Sequence, residues 1–474
     1  MENTLTPDIC VIGAGSGGLT VAAASAAFGV KVVLIEKGRM GGDCLNTGCV
    51  PSKALIAAAK HAHGMARAAE FGVTAQNVQI DFERVHDHVH RVIGAIAPND
   101  SVARFTGLGV QVIQDTAEFV DHETVRAGDF LIKARRFVIA TGSTAAIPPI
   151  PGLDKVPILT NESIFDLKQS PEHLIVIGGG PIGMELAQAH RRLGARVTVL
   201  EAFTPLAKDD PEMSAIVIDC LVREGVDIRA GAKVTAVSGS AGAIDVEIET
   251  DAGGERVSGS HLLVAVGRKA SVDGLGLERA GIRFDGKGVT VDSALRTSNR
   301  RVYAVGDVAG GPQFTHVAGY QGGLVVQSIL SPFAARQDLS ALAWVTYTDP
   351  EFAHAGLSEA DAIKAGKTIR VLRWPYAEND RAQTERKTTG HIKVVTDHRG
   401  RILGADVVGE NAGEIINMWS LALSQKLKIG AFRGMISPYP TYSEIGKRAA
   451  VSYYAGAASN ALLRRAIRFI LNFK

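Results

Sequence analysis

Two stretches of the chain repeat the same order of a short apolar run, a longer apolar segment and a second short apolar run. In the first stretch, residues 8–13 predict a buried strand, residues 15–28 an apolar helix and residues 31–36 a second strand. The same order returns later in the chain, at residues 173–178, 181–193 and 196–201. Each stretch is a predicted βαβ unit, and such units are typical of dinucleotide-binding folds.

Apolar runs outside these units predict how the rest of the chain is organised. The run at 137–142 closes the first unit, and the proline-rich residues 148–152 predict a linker into a second domain. That domain ends with the run at 262–268, and the run at 302–307 is predicted to return to the first domain. From about residue 342 strands alternate with helices, which indicates an α+β module. Its strands are predicted at residues 344–348, 369–374, 391–396 and 402–408.

Length and charge narrow the class of protein. A chain of 474 residues is too long for one hydrophobic core, since single cores stop growing near about 250 to 300 residues. The formal net charge of +2 provides no broad attraction for nucleic acid, so we expect a small partner and no nucleic acid. Residues 1–7 lack the features of a signal peptide, and no apolar run reaches the roughly 20 residues of a membrane span. We therefore expect a cytoplasmic protein without a transmembrane segment.

The first βαβ unit contains a glycine motif with a matching acidic residue. Gly13, Gly15 and Gly18 follow the first strand and open the helix, and Glu36 ends the second strand. Backbone N–H groups at such a helix N-terminus bind a pyrophosphate, and the acidic residue accepts hydrogen bonds from a ribose. These four residues are predicted to bind the first dinucleotide.

The second unit repeats this arrangement with Gly178, Gly180, Gly183 and Glu201. The carboxylate at the ribose position repels a 2′-phosphate, and neither of the two residues that follow Glu201 is basic. The second site is therefore predicted to prefer NADH, with NADPH the less favoured cofactor.

Two of the four cysteines, Cys44 and Cys49, lie five residues apart. In a regular helix this spacing separates the Cα atoms by roughly 8 to 9 Å, beyond the limit of about 7 Å for a disulphide. A redox-active pair therefore requires a distorted turn, which Gly48 permits. A helix that starts near Pro51 would also place Cys49 at a positive helix end, which favours its thiolate. Zinc binding is the main alternative use of the pair, but no further cysteines or histidines complete such a site.

Other residues that resemble ligands have simpler interpretations. Cys10 and Cys220 lie on apolar faces and are predicted to be buried. His86, His88 and His90 suggest a metal site, but a solvated helix is the preferred interpretation, and no metal site is predicted.

These motifs together resemble one family, the FAD-dependent pyridine nucleotide-disulphide oxidoreductases, which include mercuric reductase, dihydrolipoamide dehydrogenase and glutathione reductase. The resemblance covers nearly the whole chain. It rests on the two glycine motifs, the block from Gly41 to Lys53 with both cysteines, Ala140–Gly142, Ala265–Arg268 and Ala304–Asp307.

The resemblance implies roles for individual residues. Asp307 is expected to hydrogen-bond the FAD ribityl or pyrophosphate, and Lys53 to pair with Glu185 near flavin N5. Cys49 is expected to lie against the flavin, and Cys44 to attack the substrate. Further cofactor-binding residues are expected at Thr141, Gly142, Gly267 and His316. A packing role for His316 is an equally good interpretation.

One block departs from the family pattern. Where lipoamide dehydrogenases and glutathione reductases carry His-Pro-Thr-x-x-Glu, this chain has Tyr439 followed by Glu444 at the matching spacing. Tyrosine has a reference pKa of roughly 10, against about 6.5 for histidine, so Tyr439 is a poor base at neutral pH. Mercuric reductases also have tyrosine here, but no cysteine follows Cys220 to provide their C-terminal thiol pair. Tyr439 and Glu444 are the predicted catalytic residues of this block, and we expect them to face the disulphide of the partner subunit in a homodimer.

The predicted fold class is α/β, with two Rossmann-like dinucleotide-binding domains and a C-terminal α+β dimerisation domain. The FAD domain is expected at residues 1–148 and 272–340, the NAD(P) domain at 149–271 and the dimerisation domain at 341–474. The predicted function is transfer of electrons from NADH through FAD and the disulphide to a small disulphide, quinone or metal-ion acceptor. The alternatives are a flavin-only NADH oxidase, quinone reductase or transhydrogenase, and the dihydrolipoamide dehydrogenase subunit of a 2-oxo-acid dehydrogenase complex.

Residues 462–474 combine basic and apolar positions in an amphipathic pattern. A terminal helix that packs on the preceding domain is the preferred interpretation, and a membrane-surface anchor is the alternative.

Overall fold

The computed structural model describes residues 3–456 and 460–472. The chain divides into two compact units. The first contains Met1–Gly178, Ala189–Leu200 and Lys233–Gln337, and the second contains Gly179–Gln188, Glu201–Ala232 and Asp338–Lys474.

The strands of the described residues are, in chain order, β1 (Asn3–Leu5), β2 (Ile9–Ile12), β3 (Val32–Ile35), β4 (Gln111–Ile113), β5 (Ala117–Phe119), β6 (Val125–Ala127), β7 (Phe130–Ile132), β8 (Arg136–Ile139), β9 (Ser143–Ala145), β10 (His173–Ile177), β11 (Arg196–Glu201), β12 (Asp227–Ala230), β13 (Lys233–Ser240), β14 (Ala243–Thr250), β15 (Gly253–Gly259), β16 (His261–Val264), β17 (Arg268–Ala270), β18 (Phe284–Asp285), β19 (Gly288–Val289), β20 (Val302–Ala304), β21 (Ala343–Thr346), β22 (Glu351–Gly356), β23 (Ile369–Pro375), β24 (His391–Asp397) and β25 (Ile402–Gly409).

The α-helices of the same residues are α1 (Ser16–Ala27), α2 (Gly42–Asn46), α3 (Cys49–Ala66), α4 (Phe82–Ile96), α5 (Val102–Gly107), α6 (Pro181–Arg192), α7 (Pro211–Arg223), α8 (Thr315–Leu330), α9 (Glu359–Lys364), α10 (Asp380–Thr384), α11 (Ala412–Ser424), α12 (Gly430–Gly434), α13 (Glu444–Ser452) and α14 (Ala461–Leu471).

A parallel sheet in the order β20-β8-β2-β3-β4 forms the centre of the first unit. Its strands are continuous apolar runs because both faces are covered, one by α1, α5 and α8 and the other by strands β5 to β7. Strands β2 and β3 are buried at every position. Helices α1 and α8 pack against each other. Strand β20 lies beside β8, so the predicted return of the run at 302–307 to the first sheet is confirmed.

A second parallel arrangement follows the same physical rule. Strand β10 pairs in parallel with both β11 and β16, and all five residues of β10 are buried. The βαβ order predicted from the apolar pattern is therefore present twice, and the mixed α/β class is confirmed.

Two short sheets in the first unit were not predicted. One is a mixed sheet in the order β1-β7-β6-β5, in which β1 pairs in parallel with β7 and the other pairs are antiparallel. The other is an antiparallel meander of β13, β14 and β15. Three-residue strands such as β5 to β7 are too short to show a clear alternation of apolar and polar positions.

The second unit contains an antiparallel sheet in the order β21-β22-β25-β24-β23. Helix α11 covers β22 and β25, and its Trp419 is fully buried in the core of this unit. The predicted α+β module is present, but the sequence analysis missed β22 between the first two predicted strands.

Helix α14 corrects one prediction about the basic amphipathic segment. Residues 461–471 form a helix, and none of these residues is buried. The expectation that it packs on the preceding domain is therefore wrong for the single chain. Phe473 and Lys474, which end the predicted segment, lie outside the described residues. None of the helices formed by residues 3–456 and 460–472 has the length and apolar character needed to cross a bilayer.

Candidate active site

The first glycine motif lies between β2 and α1 and depends on close backbone approach. Gly13 has a φ of +103°, and a Cβ atom there would lie 2.4 Å from the carbonyl oxygen of Ala140. A Cβ at Gly18 would lie 1.9 Å from the carbonyl oxygen of Gly13. The neighbouring backbone therefore leaves no room for a side chain at Gly13 or Gly18. Gly15 immediately precedes the first turn of α1.

The carboxylate of Glu36 is held in place by backbone groups of the same region. Its Oε2 accepts a hydrogen bond of 2.7 Å from the N–H of Ala14, and its Oε1 accepts one of 2.7 Å from the N–H of Gly38. This fixes a negative charge beside the N-terminus of α1, where a ribose hydroxyl would meet it.

The second glycine motif has the same two features, which are a glycine in close contact with a backbone carbonyl group and a carboxylate held by backbone N–H groups. Gly178 has a φ of +110°, and a Cβ there would lie 2.5 Å from the carbonyl oxygen of Ala265. Glu201 accepts hydrogen bonds from the N–H groups of Gly179 (2.7 Å) and Phe203 (2.9 Å). A Cβ at Gly180 would meet no atom of the described residues within 4 Å, and Gly183 is buried in α6. The open space at Gly180 suits the approach of a phosphate.

The two cysteines lie on either side of a break between two helices. Helix α2 ends at Asn46 and α3 begins at Cys49, so Thr47 and Gly48 interrupt the helical path. Gly48 has φ −123° and ψ −113°, and a Cβ there would lie 2.8 Å from a carboxylate oxygen of Asp43. The distorted turn predicted from the cysteine spacing is confirmed, and Asp43 explains why glycine stands at its centre.

Both cysteines are free thiols in this structure, and their side chains hydrogen-bond to each other. Cys44 is half-buried, whereas Cys49 is exposed as the first residue of α3. The sulphur of Cys49 also lies 3.4 Å from the hydroxyl oxygen of Thr315.

The two thiols have very different acidities. The hydrogen bond with Cys44 lowers the pKa of Cys49 to about 6, with help from Thr315 and from the positive charge of Lys53 one turn along α3. The same hydrogen bond, together with burial, raises the pKa of Cys44. These pKa values favour a thiolate at Cys49, which accepts a hydrogen bond from the Cys44 thiol.

A polar network connects the cysteine loop with Asp307. Ser143 donates a 2.5 Å hydrogen bond from its hydroxyl to Asp307, and Arg268 Nε donates one of 2.7 Å to Ser143 Oγ. Arg268 also lies 3.7 Å from the Asp307 carboxylate and 3.4 Å from that of Asp43. Burial raises the pKa of Asp307. Asp43 in turn accepts a hydrogen bond of 3.0 Å from Asn161.

Sequence reasoning missed several members of this site. Arg268 belongs to a motif that was recognised, but no role was assigned to it. Ser143 directly follows Gly142, so its position was a usable signal. Thr315 and Asn161 carry no motif, and only the fold brings them to the cysteine loop.

The other residues that were expected to bind a cofactor lie in the same unit as the cysteines. Thr141 donates a hydrogen bond of 2.8 Å to the carbonyl oxygen of Ser271. A Cβ at Gly142 or Gly267 would meet no described atom within 4 Å, so both positions leave room for a ligand. His316 follows Thr315 in α8, and its ring stacks on Phe314 with centroids 5.2 Å apart.

Glu185 is placed in the second unit. It is buried in α6, and its Oε1 accepts a hydrogen bond of 2.8 Å from the N–H of Tyr347. Lys53 lies in the first unit, within α3. Their pairing near the flavin stays a prediction.

Tyr439 and Glu444 each bond to a different partner. The Tyr439 hydroxyl donates a 2.5 Å hydrogen bond to Asp380, whereas Glu444 forms an ion pair of 2.9 Å with Arg448. A hydroxyl has one proton, and the bond to Asp380 uses that of Tyr439. The bond to Asp380 raises the pKa of Tyr439 and makes it a still poorer base.

The residues discounted from sequence also find their places. Cys10 and Cys220 are buried, as predicted. The rings of His86 and His90 contact each other at a tilt of 45°, and His90 Nε2 lies 3.2 Å from the carbonyl oxygen of Phe165. Residues 3–456 and 460–472 contain no cluster of three His, Cys, Asp or Glu side chains suited to a metal ion.

The residues around the first motif fit FAD. The backbone before α1 is open at Gly15, where the nearest atom to an added Cβ is 4.0 Å away. Glu36 and the half-buried Asp307 offer carboxylates for a ribose and for the ribityl chain or pyrophosphate.

Sequence profiles and relatives agree with this geometry. The profile of the pyridine nucleotide-disulphide oxidoreductases matches residues 7–322, and that of their dimerisation domain matches residues 342–450. A mercuric reductase from Streptomyces lividans is 35% identical over 459 residues, which cover 95% of this chain and 97% of the relative. A dihydrolipoyl dehydrogenase from Geobacillus stearothermophilus is 34% identical over 448 residues, which cover 93% and 94%.

Solved structures show the same architecture. The HOCl-induced flavoprotein disulfide reductase RclA from Escherichia coli superposes with a TM-score of 0.85 at 28% identity, over 94% of this chain and 99% of that chain. The Cu(II) complex of the same protein gives a TM-score of 0.84 at 28% identity, over 93% of this chain and 98% of that chain.

Proposed function

The chain belongs to the pyridine nucleotide-disulphide oxidoreductase family, and from that membership we propose that it passes electrons from NADH, through FAD and the Cys44–Cys49 pair, to a soft metal ion. The enzyme is an FAD-dependent oxidoreductase that uses pyridine nucleotides and a redox-active disulphide. The acceptor, the preference for NADH and the roles of single residues are the proposed parts.

The observation that carries the metal proposal is the contrast between an activated thiol pair and an inactive base. Cys49 has a pKa of about 6 and accepts a hydrogen bond from the Cys44 thiol. Thiolates are the preferred ligands of soft ions such as Hg(II) and Cu(I). A bound ion replaces the Cys44 proton by its own charge, so the thiol pair can bind it without a separate base.

Exchange with an organic dithiol, unlike the binding of a metal ion, requires a separate base. The substrate thiol must lose its proton as it attacks a disulphide, since the thiolate is the nucleophile. In this chain the candidate base is Tyr439, whose hydroxyl is already committed to Asp380 and whose pKa is raised. We therefore place dihydrolipoamide below a metal ion among the acceptors.

One structural neighbour supports a metal ion as acceptor. Mercuric reductases and dihydrolipoyl dehydrogenases are both 33 to 35% identical to this chain, so identity does not rank these two acceptors, but a Cu(II) complex exists for the neighbour at 28% identity. Overall, one NADH would reduce one Hg(II) to Hg(0), or two Cu(II) to two Cu(I), with oxidation of NADH to NAD⁺ and release of one proton.

Each residue of the site has a task in this scheme. FAD, when bound, accepts a hydride equivalent from NADH and passes two electrons to the disulphide. Cys49 is held as a thiolate by Cys44, Thr315 and Lys53, and Cys44 is the thiol that meets the acceptor. Asp307 and Glu36 bind the cofactor through its ribityl and ribose hydroxyls. Arg268 positions Asp307 and Asp43 relative to each other.

The preference for NADH rests on Glu201. Backbone N–H groups hold both of its carboxylate oxygens, so the negative charge stays where a 2′-phosphate would lie. Its role parallels that of Glu36 in the first motif.

The match of residues 342–450 to the family's dimerisation domain supports a homodimer. In the proposed active unit, Tyr439 and Glu444 of one subunit face the thiol pair of the other. A fully active monomer in sedimentation experiments would contradict this arrangement.

The test is an anaerobic titration of the purified protein with NADH, followed by steady-state assays with Hg(II), Cu(II), glutathione disulphide, and dihydrolipoamide with NAD⁺. We expect a long-wavelength thiolate-to-flavin absorption band and turnover on a metal ion. Fast dihydrolipoamide turnover by the wild type would overturn the proposed acceptor.

A variant at position 439 sharpens this test. Tyr439→His restores a base with a pKa of about 6.5, so it should raise kcat/KM for dihydrolipoamide by at least about tenfold. Tyr439→Phe also breaks the bond to Asp380 but adds no base, so it serves as the matched control. If both variants raise the activity equally, loss of the Asp380 bond and not the base is responsible.

A further inference from the structure

Helix α14 has one basic face and one broad apolar face. At about 100° of rotation per residue, Arg464, Arg465 and Arg468 fall within an arc of about 100°. The remaining helix surface is formed by alanine and by large apolar residues, which are Leu462, Leu463, Ile467, Phe469, Ile470 and Leu471.

The apolar face is turned to solvent in the single chain. Leu462 is 75% exposed, Ile467 47% and Leu471 63%. Large apolar side chains that are contiguous and this exposed mark an interaction surface, because their burial elsewhere would release roughly 25 cal/mol per Å².

All lysine, arginine, aspartate and glutamate residues of the C-terminal segment 445–474 are basic. Residues 445–474 contain six lysines and arginines and no aspartate or glutamate. The net charge of +2 for the whole chain hides this local excess. A protein surface that covered the apolar face would also have to complement three arginines on the opposite edge, whereas an anionic bilayer complements both faces at once.

The length of the helix decides how it would meet a bilayer. Its eleven residues are too few to span a hydrocarbon core, which needs about 20. A helix of this composition lies in the plane of the membrane, with its apolar side chains below the headgroups and its arginines at the anionic phosphates. The helix begins after residue 450, where the match to the family's dimerisation domain ends.

We propose that α14 docks this enzyme on the surface of an anionic lipid bilayer. The apolar face enters the interfacial layer and the three arginines bind lipid phosphates. This interaction is independent of the acceptor proposed above, since no residue of α14 belongs to the thiol or cofactor sites.

The test is flotation of the full-length FAD-loaded protein with two kinds of vesicle. One contains phosphatidylcholine alone, and the other replaces about one lipid in three by phosphatidylglycerol. We expect the wild type to float with the anionic vesicles, to remain behind with the neutral ones and to dissociate as salt rises. A wild type that ignores anionic vesicles at low salt overturns the proposal.

Substitutions on each face separate the two contributions. Ile467→Glu with Ile470→Glu should abolish flotation, whereas Val73→Glu, at another exposed apolar residue, should not change it. Replacement of the three arginines by glutamine should weaken binding by on the order of 100-fold, at about 1 kcal/mol per basic residue, and replacement by lysine should retain most of it. Glutamate variants that float like the wild type would refute the role of the apolar face.

A second copy of the chain is the competing occupant. Sedimentation velocity of the Ile467→Glu, Ile470→Glu protein distinguishes the two, and NADH-driven flavin reduction confirms that the protein is folded. A variant that stays dimeric and no longer floats supports membrane docking. A variant that becomes monomeric would instead assign α14 to the subunit interface and overturn the proposal.

Discussion

The sulphur of Cys49 lies 3.4 Å from the hydroxyl of Thr315, a residue 266 positions further along the chain. Cys49 begins α3 and Thr315 begins α8, so the fold joins two helix N-termini at the reactive thiol. Both helix ends and the hydroxyl favour negative charge on the sulphur.

Replacement of Thr315 by valine should therefore make Cys49 less acidic. The variant loses a hydrogen bond that stabilises the thiolate, so the pKa should rise from about 6 by about one unit, which corresponds to 1.36 kcal/mol. Titration of the ultraviolet thiolate absorbance of the reduced protein measures this shift. Thr315→Ser keeps a hydroxyl and should titrate like the wild type, and an unchanged pKa in Thr315→Val would refute the role of the hydroxyl.

Removal of Cys44 should separate the thiol chemistry from the flavin chemistry. In Cys44→Ala the disulphide cannot form, so metal or disulphide reduction should fall by at least about 100-fold. Reduction of FAD by NADH should continue, as measured by dye reduction in a stopped-flow experiment. Cys220→Ala is the matched control, since Cys220 is buried in α7 and belongs to the second unit. Retention of acceptor reduction by Cys44→Ala would favour the flavin-only alternative.

Neutralisation of Glu201 should weaken the preference for NADH. Glu201→Gln removes the charge that repels a 2′-phosphate but keeps an oxygen to accept one backbone N–H. The ratio of kcat/KM for NADPH to that for NADH should rise about tenfold, or roughly 1.4 kcal/mol. The equivalent change at Glu36 should reduce retention of FAD and leave this ratio unchanged. A wild type that already prefers NADPH would contradict the assignment.

A buried lysine should be important for stability in the second unit. Lys393 is 3% exposed and forms ion pairs of 2.8 Å with Asp210, 3.0 Å with Glu212 and 2.8 Å with Glu359. Lys393→Met leaves these carboxylates without their shared cation, so the free energy of unfolding should fall by roughly 3–5 kcal/mol. Urea denaturation measures the change, and Lys364→Met on the surface should stay within about 0.5 kcal/mol. If Lys393→Met lowers the free energy of unfolding by no more than about 0.5 kcal/mol, water or other groups solvate the three carboxylates.

Several interpretations of charged and polar residues could not be made from sequence. Lys387 belongs to no motif, but it pairs with Asp349 at 3.1 Å and with Glu410 at 3.2 Å. Its partners lie far away in sequence, and no local pattern reports such a pairing. The same limit explains why Thr315, Asn161 and the Asp380 partner of Tyr439 were missed.

The sequence by itself determined the features that depend on local spacing. Apolar runs of fixed length predicted both βαβ units, and the distance from Cys44 to Cys49 predicted the break at Gly48, because helix geometry fixes the separation of residues five apart. The glycine motifs followed from the same logic, since close backbone approach excludes a Cβ at Gly13 and Gly178.

The tertiary structure decided what depends on distant residues and on exposure. The hydrogen bonds of Cys49 with Cys44 and Thr315 lower its pKa, and the bond to Asp380 makes Tyr439 a still poorer base than its residue type already does. The amphipathic pattern of α14 was visible in the sequence, but only the fold showed that its apolar face is not buried. Hydrogen bonds and burial are properties of atoms brought together in space, and periodicity along a chain records only which face of an element is apolar.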